Sequence, residues 1–100
     1  MNDNDCTVLG FDDLTSTFNP TTVVLAVDGT EYACTPTVTG TGPYVISAVT
    51  DTYFAGPAHP TPGGATVLAY GVHTAEARVT ASDGTTLAKP FPAFRISPDV

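Results

Sequence analysis

Hydrophobic and polar residues alternate most regularly between residues 75 and 82, where small apolar side chains are separated by Glu76, Arg78 and Thr80. Side chains of a strand point to opposite faces with period two, so this alternation predicts a half-buried β-strand. The dipeptide Asp83-Gly84 follows, and it readily adopts the positive φ angles of a tight hairpin turn. Residues 75–96 are therefore predicted to form an antiparallel hairpin.

A second hairpin is predicted around Asp28-Gly29, which separates a β-branched apolar run at 22–27 from a strand at 30–38. Pro36 has no N–H to donate, so its end of the returning strand is predicted to be an edge or a bulge. Residues 44–54 carry apolar side chains on both faces, which is the pattern of a central strand.

The two ends of the chain are less regular. Phe11, Leu14 and Phe18 have roughly helical spacing within residues 1–20, which predicts either one helical turn or a loop that pins its aromatic rings to the core. Pro90 and Pro92 interrupt the last strand. We therefore expect an irregular N-terminal segment, 1–20, and a C-terminal extension, 90–100, that leaves the sheet after Leu87.

The composition supports one all-β domain. The chain has 100 residues, of which 42% are hydrophobic and 13% charged, so it is globular and has the size of a single domain. Short strands separated by turns every 8–12 residues or so are typical of a two-sheet antiparallel sandwich. We expect about six to eight strands.

The net charge of −7 limits the kinds of partner that the chain can bind. An acidic surface repels phosphate backbones and anionic lipids, so we expect neither nucleic acid nor membranes as partners. The acidic start of the chain also differs from the basic start of a secretory signal.

Candidate catalytic and metal-binding residues are few. Cys6 and Cys34 allow one disulfide or two reduced thiols, and the sequence leaves both open. A Cys–His nucleophile would need one of them beside His59 or His73, and packing roles are the ordinary use of such residues. The N-terminal aspartates, Asp3 and Asp5 included, lack the glycine and glutamate that complete a calcium loop. We expect no enzyme activity, cofactor or metal.

Aromatic residues near loops and edges are the candidate contact residues. Most aromatic side chains of a small domain lie in the core. A contact platform for a protein partner or a carbohydrate is nevertheless predicted beside the longest loop, at 55–65, and along the proline-containing strand. Its residues are Tyr53, Phe54, His59, Phe91 and Phe94.

Residues 70–85 read Tyr-Gly-Val-His-Thr, then Val-Thr-Ala-Ser-Asp-Gly-Thr after a short gap. This stretch resembles the closing strands of bacterial and phage immunoglobulin-like domains, and residues 22–32 are compatible with an early strand pair of that family. Antibody-type domains differ, because this chain has no Trp. The resemblance implies an immunoglobulin-like sandwich and no particular ligand.

These observations together lead to a functional expectation. We expect a non-catalytic structural or binding protein, first of all a phage virion accessory such as a head decoration or tail-associated protein. Its partners would be capsid or other virion subunits, further copies of itself included, and it would join the virion in the host cytoplasm. The alternative is an accessory immunoglobulin-like module of a secreted bacterial protein, which binds polysaccharide or acts as a spacer outside the cell.

Overall fold

The computed structural model describes residues 6–57 and 65–98, which form β-strands and no helix. This confirms the all-β class. The strands are β1 (Cys6–Thr7), β2 (Gly10–Ser16), β3 (Thr22–Val27), β4 (Thr30–Thr39), β5 (Tyr44–Thr50), β6 (Phe54–Ala55), β7 (Thr66–Val67), β8 (Gly71–Thr80) and β9 (Thr86–Ile96).

Six strands form one antiparallel sheet in the order β2-β5-β4-β3-β8-β9, and β1, β6 and β7 form a small second sheet. The hairpins predicted around Asp28 and Asp83 are β3–β4 and β8–β9. The first turn uses positive φ angles of 51° at Asp28 and 86° at Gly29, as an Asp-Gly hairpin requires. β3 also pairs with β8 along its full length, which joins the two hairpins into one sheet.

The large sheet folds over itself around a shared core. Leu14 of β2 and Ile46 of β5 belong to the same buried cluster as Val23 of β3 and Val79 of β8, although β4 lies between these strand pairs in the sheet order. Ile46 and Val79 have no exposed surface. The two halves of the sheet therefore face each other, and the architecture approaches a barrel.

A second cluster lies at the other end of the inner face. Leu25, Val27 and Ile96 of the large sheet pack there with Phe54 of β6 and with Leu68, which follows β7. The small sheet thus covers the end of the core that the large sheet leaves open. The molecule is elongated, with extents of 47 × 23 × 20 Å.

The N-terminal strand β2 contains a bulge that explains its helix-like spacing. Phe11 lies opposite Ala48 and Leu14 lies opposite Ile46, so β2 uses three steps where β5 uses two. Asp13 within this bulge has a φ of 56°. The extra residue brings Phe11 and Leu14 to the same inner face. Residues 10–16 are therefore a strand, which corrects the expectation of a helical turn or a loop.

The last strand is continuous, which corrects the expectation that the chain leaves the sheet after Leu87. β9 stays paired with β8 from Thr86 to Ile96, with one bulge. The carbonyl groups of Thr74 and Thr80 accept hydrogen bonds on the β3 side, so even-numbered residues of β8 bond towards β3. Pro90 lies opposite Glu76. Its nitrogen therefore faces the free edge of β9, where no N–H is needed.

The predicted positions of Pro36 and of the central strand are close to those observed. β4 pairs with β3 only as far as Ala33, so Pro36 lies in the part of β4 that has β5 as its only partner strand. β5 is central, between β2 and β4. β5 ends at Thr50, so the predicted extension of this strand to residue 54 is wrong. Phe54 begins a different strand, which belongs to the small sheet.

The free edges of β2 and β9 meet without a strand ladder. Phe11 stacks on Phe91, with ring centroids 5.2 Å apart and planes inclined by 23°. We call this junction the seam. Pro90 offers no donor at the edge of β9, and β2 and β9 share no strand pairing. Ring stacking is the contact that joins the two edges here.

Two neighbouring aromatic residues test the placement of the core. Replacing Phe54 with Ala is expected to lower the free energy of unfolding by about 3–5 kcal/mol, because it empties a fully buried site. The matched control is Tyr53→Ala, whose side chain is 50% exposed, and we expect a change of about 0.5 kcal/mol or less. Urea denaturation measures both, and equal losses would contradict this packing.

Candidate functional site

The predicted contact residues have different environments in the structure. Phe54 is fully buried and makes an edge-to-face contact with Tyr32 at 4.9 Å, so it is a core residue and cannot present a contact surface. Tyr53 is half exposed. Phe91 and Phe94 are half-buried on β9, whereas His59 lies outside the described residues.

Phe91 and Phe94 line an apolar pocket at the seam. Its volume is about 210 Å³, and its lining residues are Leu9, Gly10, Leu25, Ala75, Phe91, Pro92 and Phe94. The walls come from the segment entering β2 on one side and from β9 on the other, and the floor from β3 and β8. Sequence reasoning had selected two of these seven residues and had not connected them with the N-terminal segment.

His73 is buried at the end of the molecule where the two hairpins meet. Its Nδ1 lies 2.5 Å from Oδ2 of Asp28, and its Nε2 lies 2.7 Å from the carbonyl oxygen of Ala69. The other carboxylate oxygen of Asp28 accepts a hydrogen bond from the Thr74 amide at 3.0 Å. Asp28 belongs to the β3–β4 turn, so this contact fixes that turn to the start of β8.

Both ring nitrogens of His73 face acceptors, which favours its protonated form. A neutral imidazole donates only one hydrogen bond, whereas imidazolium donates two. The hydrogen bond to Asp28, followed by the bond to Ala69, raises the pKa of His73 above its ordinary value of 6.5. The same bond, with the Thr74 amide, lowers the pKa of Asp28. Through these two contacts His73 connects the start of β8 with the β3–β4 turn and with Ala69.

Cys34 is a free, half-buried thiol that contacts both core clusters. Its Sγ lies 3.8 Å from the carbonyl oxygen of Tyr32. Burial, together with the nearby charge of Asp51, raises the pKa of Cys34. A raised pKa keeps the sulfur as a weakly nucleophilic thiol. The side chain of Cys6 and the aspartates Asp3 and Asp5 lie outside the described part of the structure.

The outer surface of β2, β5 and β4 carries mainly hydroxyl and β-branched side chains. Register places Val45 between Thr15 and Thr39, and Val49 opposite Thr35. We call the following set the threonine face: Thr15, Thr35, Thr37, Thr39, Val45, Ser47 and Val49. No member is charged, although the chain as a whole carries −7. Asp51 lies at its border and accepts a hydrogen bond from Thr35 at 2.6 Å.

Charged groups concentrate on the other half of the outer surface. Arg78 donates to Glu76 at 2.7 Å and to Glu31 at 3.0 Å, and this links the outer faces of β4 and β8 across β3. Within residues 6–57 and 65–98, no group of three or more His, Cys, Asp or Glu side chains could hold a metal ion. The same ranges contain no helix that could span a membrane.

The comparisons with known proteins add no assignment. No family model matches the chain, and no curated protein or solved structure is significantly similar to it. Any function of this chain has therefore to be inferred from the geometry of the threonine face and of the seam pocket.

The pair of His73 and Asp28 predicts how stability depends on pH. Because the folded pKa of His73 is raised, its contribution is fully present below about pH 6.5 and is lost as the pH rises through that folded pKa. Because the folded pKa of Asp28 is lowered, its contribution is present above pH 3.8 and is lost as the pH falls through that folded value.

Urea denaturation between about pH 5 and pH 9 tests this pair. The wild type should lose stability on the alkaline side, and Asp28→Asn should reduce this slope because an amide does not favour imidazolium. Asp12→Asn removes an exposed carboxylate at the β2 bulge and should leave the slope intact. An unchanged slope in Asp28→Asn would show that His73 does not titrate through this contact.

Proposed function

We propose that this chain is a non-catalytic structural protein that works by protein contact, and specifically a phage virion accessory of the head-decoration or tail-associated kind. The observation that carries the proposal is the threonine face, an uncharged three-strand surface on a strongly acidic chain. Charged residues are depleted at the centres of protein interfaces, because their desolvation is costly.

The side chains of this face suit repeated association. Threonine and valine are β-branched and have restricted χ1 angles, so ordering them at an interface costs little conformational entropy. Val45 and Val49 are 42% and 48% exposed, which leaves apolar area available for burial.

The size of the face also favours an assembly with many copies. Across its three strands the threonine face is about 10 Å wide, and along residues 35–39 it is about 14 Å long, measured between atom centres. The area of this patch is far below the surface area that each partner buries in a stable pairwise complex. Each contact is then weak, and a particle that presents many sites at once supplies the missing affinity through multivalency.

The immunoglobulin-like sandwich is part of the same proposal. Packing of the β2–β5 half of the sheet against the β3–β8 half around one core supports a two-layer arrangement. The small sheet adds a further layer over the second cluster. Immunoglobulin-like sandwiches also place two antiparallel layers around a single core.

A co-sedimentation experiment tests the proposed contact. The purified chain is mixed with capsid or tail particles of the phage that encodes it, and the bound fraction is measured against concentration. Wild-type chain should bind saturably. Thr37→Lys should weaken binding at least tenfold, because it places a charge in the middle of the threonine face.

The matched control is Thr85→Lys, which makes the same change at an exposed threonine of the β8–β9 turn and should bind as the wild type does. Circular dichroism checks that both variants keep the wild-type fold. Absence of wild-type binding to such particles would refute the virion assignment. Equal binding by Thr37→Lys would remove the threonine face from it.

A further inference from the structure

The seam pocket is independent of the threonine face and has walls that are already ordered. Phe91 is held by stacking on Phe11 at 5.2 Å, and Phe94 by stacking on His73 at 5.6 Å. Leu25, which is 3% exposed, closes the floor. Rings that are fixed before a ligand arrives lose little entropy on binding, so the pocket is preorganised.

The dimensions of the pocket match one small ring. Its volume is about 210 Å³. An apolar cavity of about 150 Å³ already accommodates benzene, whereas drug-sized ligands occupy pockets of about 300–1,000 Å³. The seam pocket therefore has room for a monocyclic compound.

Gly10 adds hydrogen-bonding groups to this apolar lining. The carbonyl oxygen of Leu9 accepts from the Thr50 amide at 2.7 Å, so Leu9 bonds towards β5. Successive residues of a strand alternate in the direction of their backbone groups, and the N–H and C=O of Gly10 are therefore directed towards the seam.

Position 10 also has to be glycine. A Cβ there would lie 2.6 Å from the carbonyl oxygen of Ala48 and 2.7 Å from a methyl group of Val49. A larger residue would therefore collide with β5. Glycine at this position therefore lets β2 approach β5 closely, and its backbone lies at the edge of β2 beside the pocket.

We propose that the seam pocket binds a monocyclic aromatic compound with one hydroxyl group, that is, a phenol. The ring lies between the wall of Phe91 and Phe94 and the floor of Leu25 and Ala75, and the hydroxyl group hydrogen-bonds to the Gly10 backbone. Gly10 offers both a donor and an acceptor, which suits a hydroxyl group because it can accept and donate.

Titration of the ¹⁵N-labelled chain with phenol tests the proposal. We expect saturable amide shifts at Gly10 and Ala75 with a dissociation constant of about 1 mM, which is the range for a ligand of so few atoms. Toluene has the ring without the hydroxyl group. It should bind more weakly than phenol, because it cannot hydrogen-bond to the Gly10 backbone.

Two variants provide the matched comparison. Ala75→Leu fills the floor of the pocket and should weaken phenol binding at least tenfold. Ala88→Leu makes the same change at an exposed position of β9 and should bind as the wild type does. If Ala75→Leu does not fold, intermolecular nuclear Overhauser effects from phenol to the side chains of Leu9 and Ala75 in the wild type replace it.

Titration with N-acetyl-tyrosinamide distinguishes two kinds of ligand, a tyrosine side chain of a partner protein and a free phenolic compound. Tighter binding than that of phenol assigns the pocket to a tyrosine side chain of a partner, and weaker binding assigns it to a free small molecule. Non-saturable shifts with phenol, or equal binding by Ala75→Leu, would refute the site.

Discussion

The fold depends on how a six-stranded sheet ends when its last strand cannot complete a hydrogen-bond ladder. Pro90 turns a donor-free nitrogen to the outer edge of β9, so the sheet cannot close into a regular barrel there. The inner face still has to be buried, and the sheet achieves this by folding over itself. The seam with its stacked rings and the pocket lined by Phe91, Pro92 and Phe94 lie at this edge of the sheet.

Apolar contacts stabilise the interior of this molecule, whereas hydrogen bonds fix the two hairpins relative to each other. The interior relies on apolar contacts between strands that are distant in the sheet order. The two hairpins are held in register by the ladder between β3 and β8, and by the contact of His73 with Asp28. Arg78 links Glu76 and Glu31 across β3, whereas no side chain of the threonine face is charged.

Local features were predictable from sequence, and long-range ones were not. The Asp-Gly turns and the alternation around Ala77 encode their hairpins within a few residues, so both were found. The pairing of β2 with β5 and the seam join distant parts of the chain and leave no local pattern. Spacing of Phe11 and Leu14 suggested a helix because a bulge mimics that period. The threonine face had a signal, the repeated threonines from 35 to 39, that was overlooked.

The stacking of Phe11 on Phe91 has a consequence for the order of folding events. Hairpins form from neighbouring residues, whereas this contact joins distant parts of the chain, so its loop-closure entropy is larger than that of either hairpin. It should form after both hairpins have docked. The seam is also fastened by rings rather than by a ladder, so it should be the first place to open in the native ensemble. Amide hydrogens beside it would then exchange with solvent faster than those of β3.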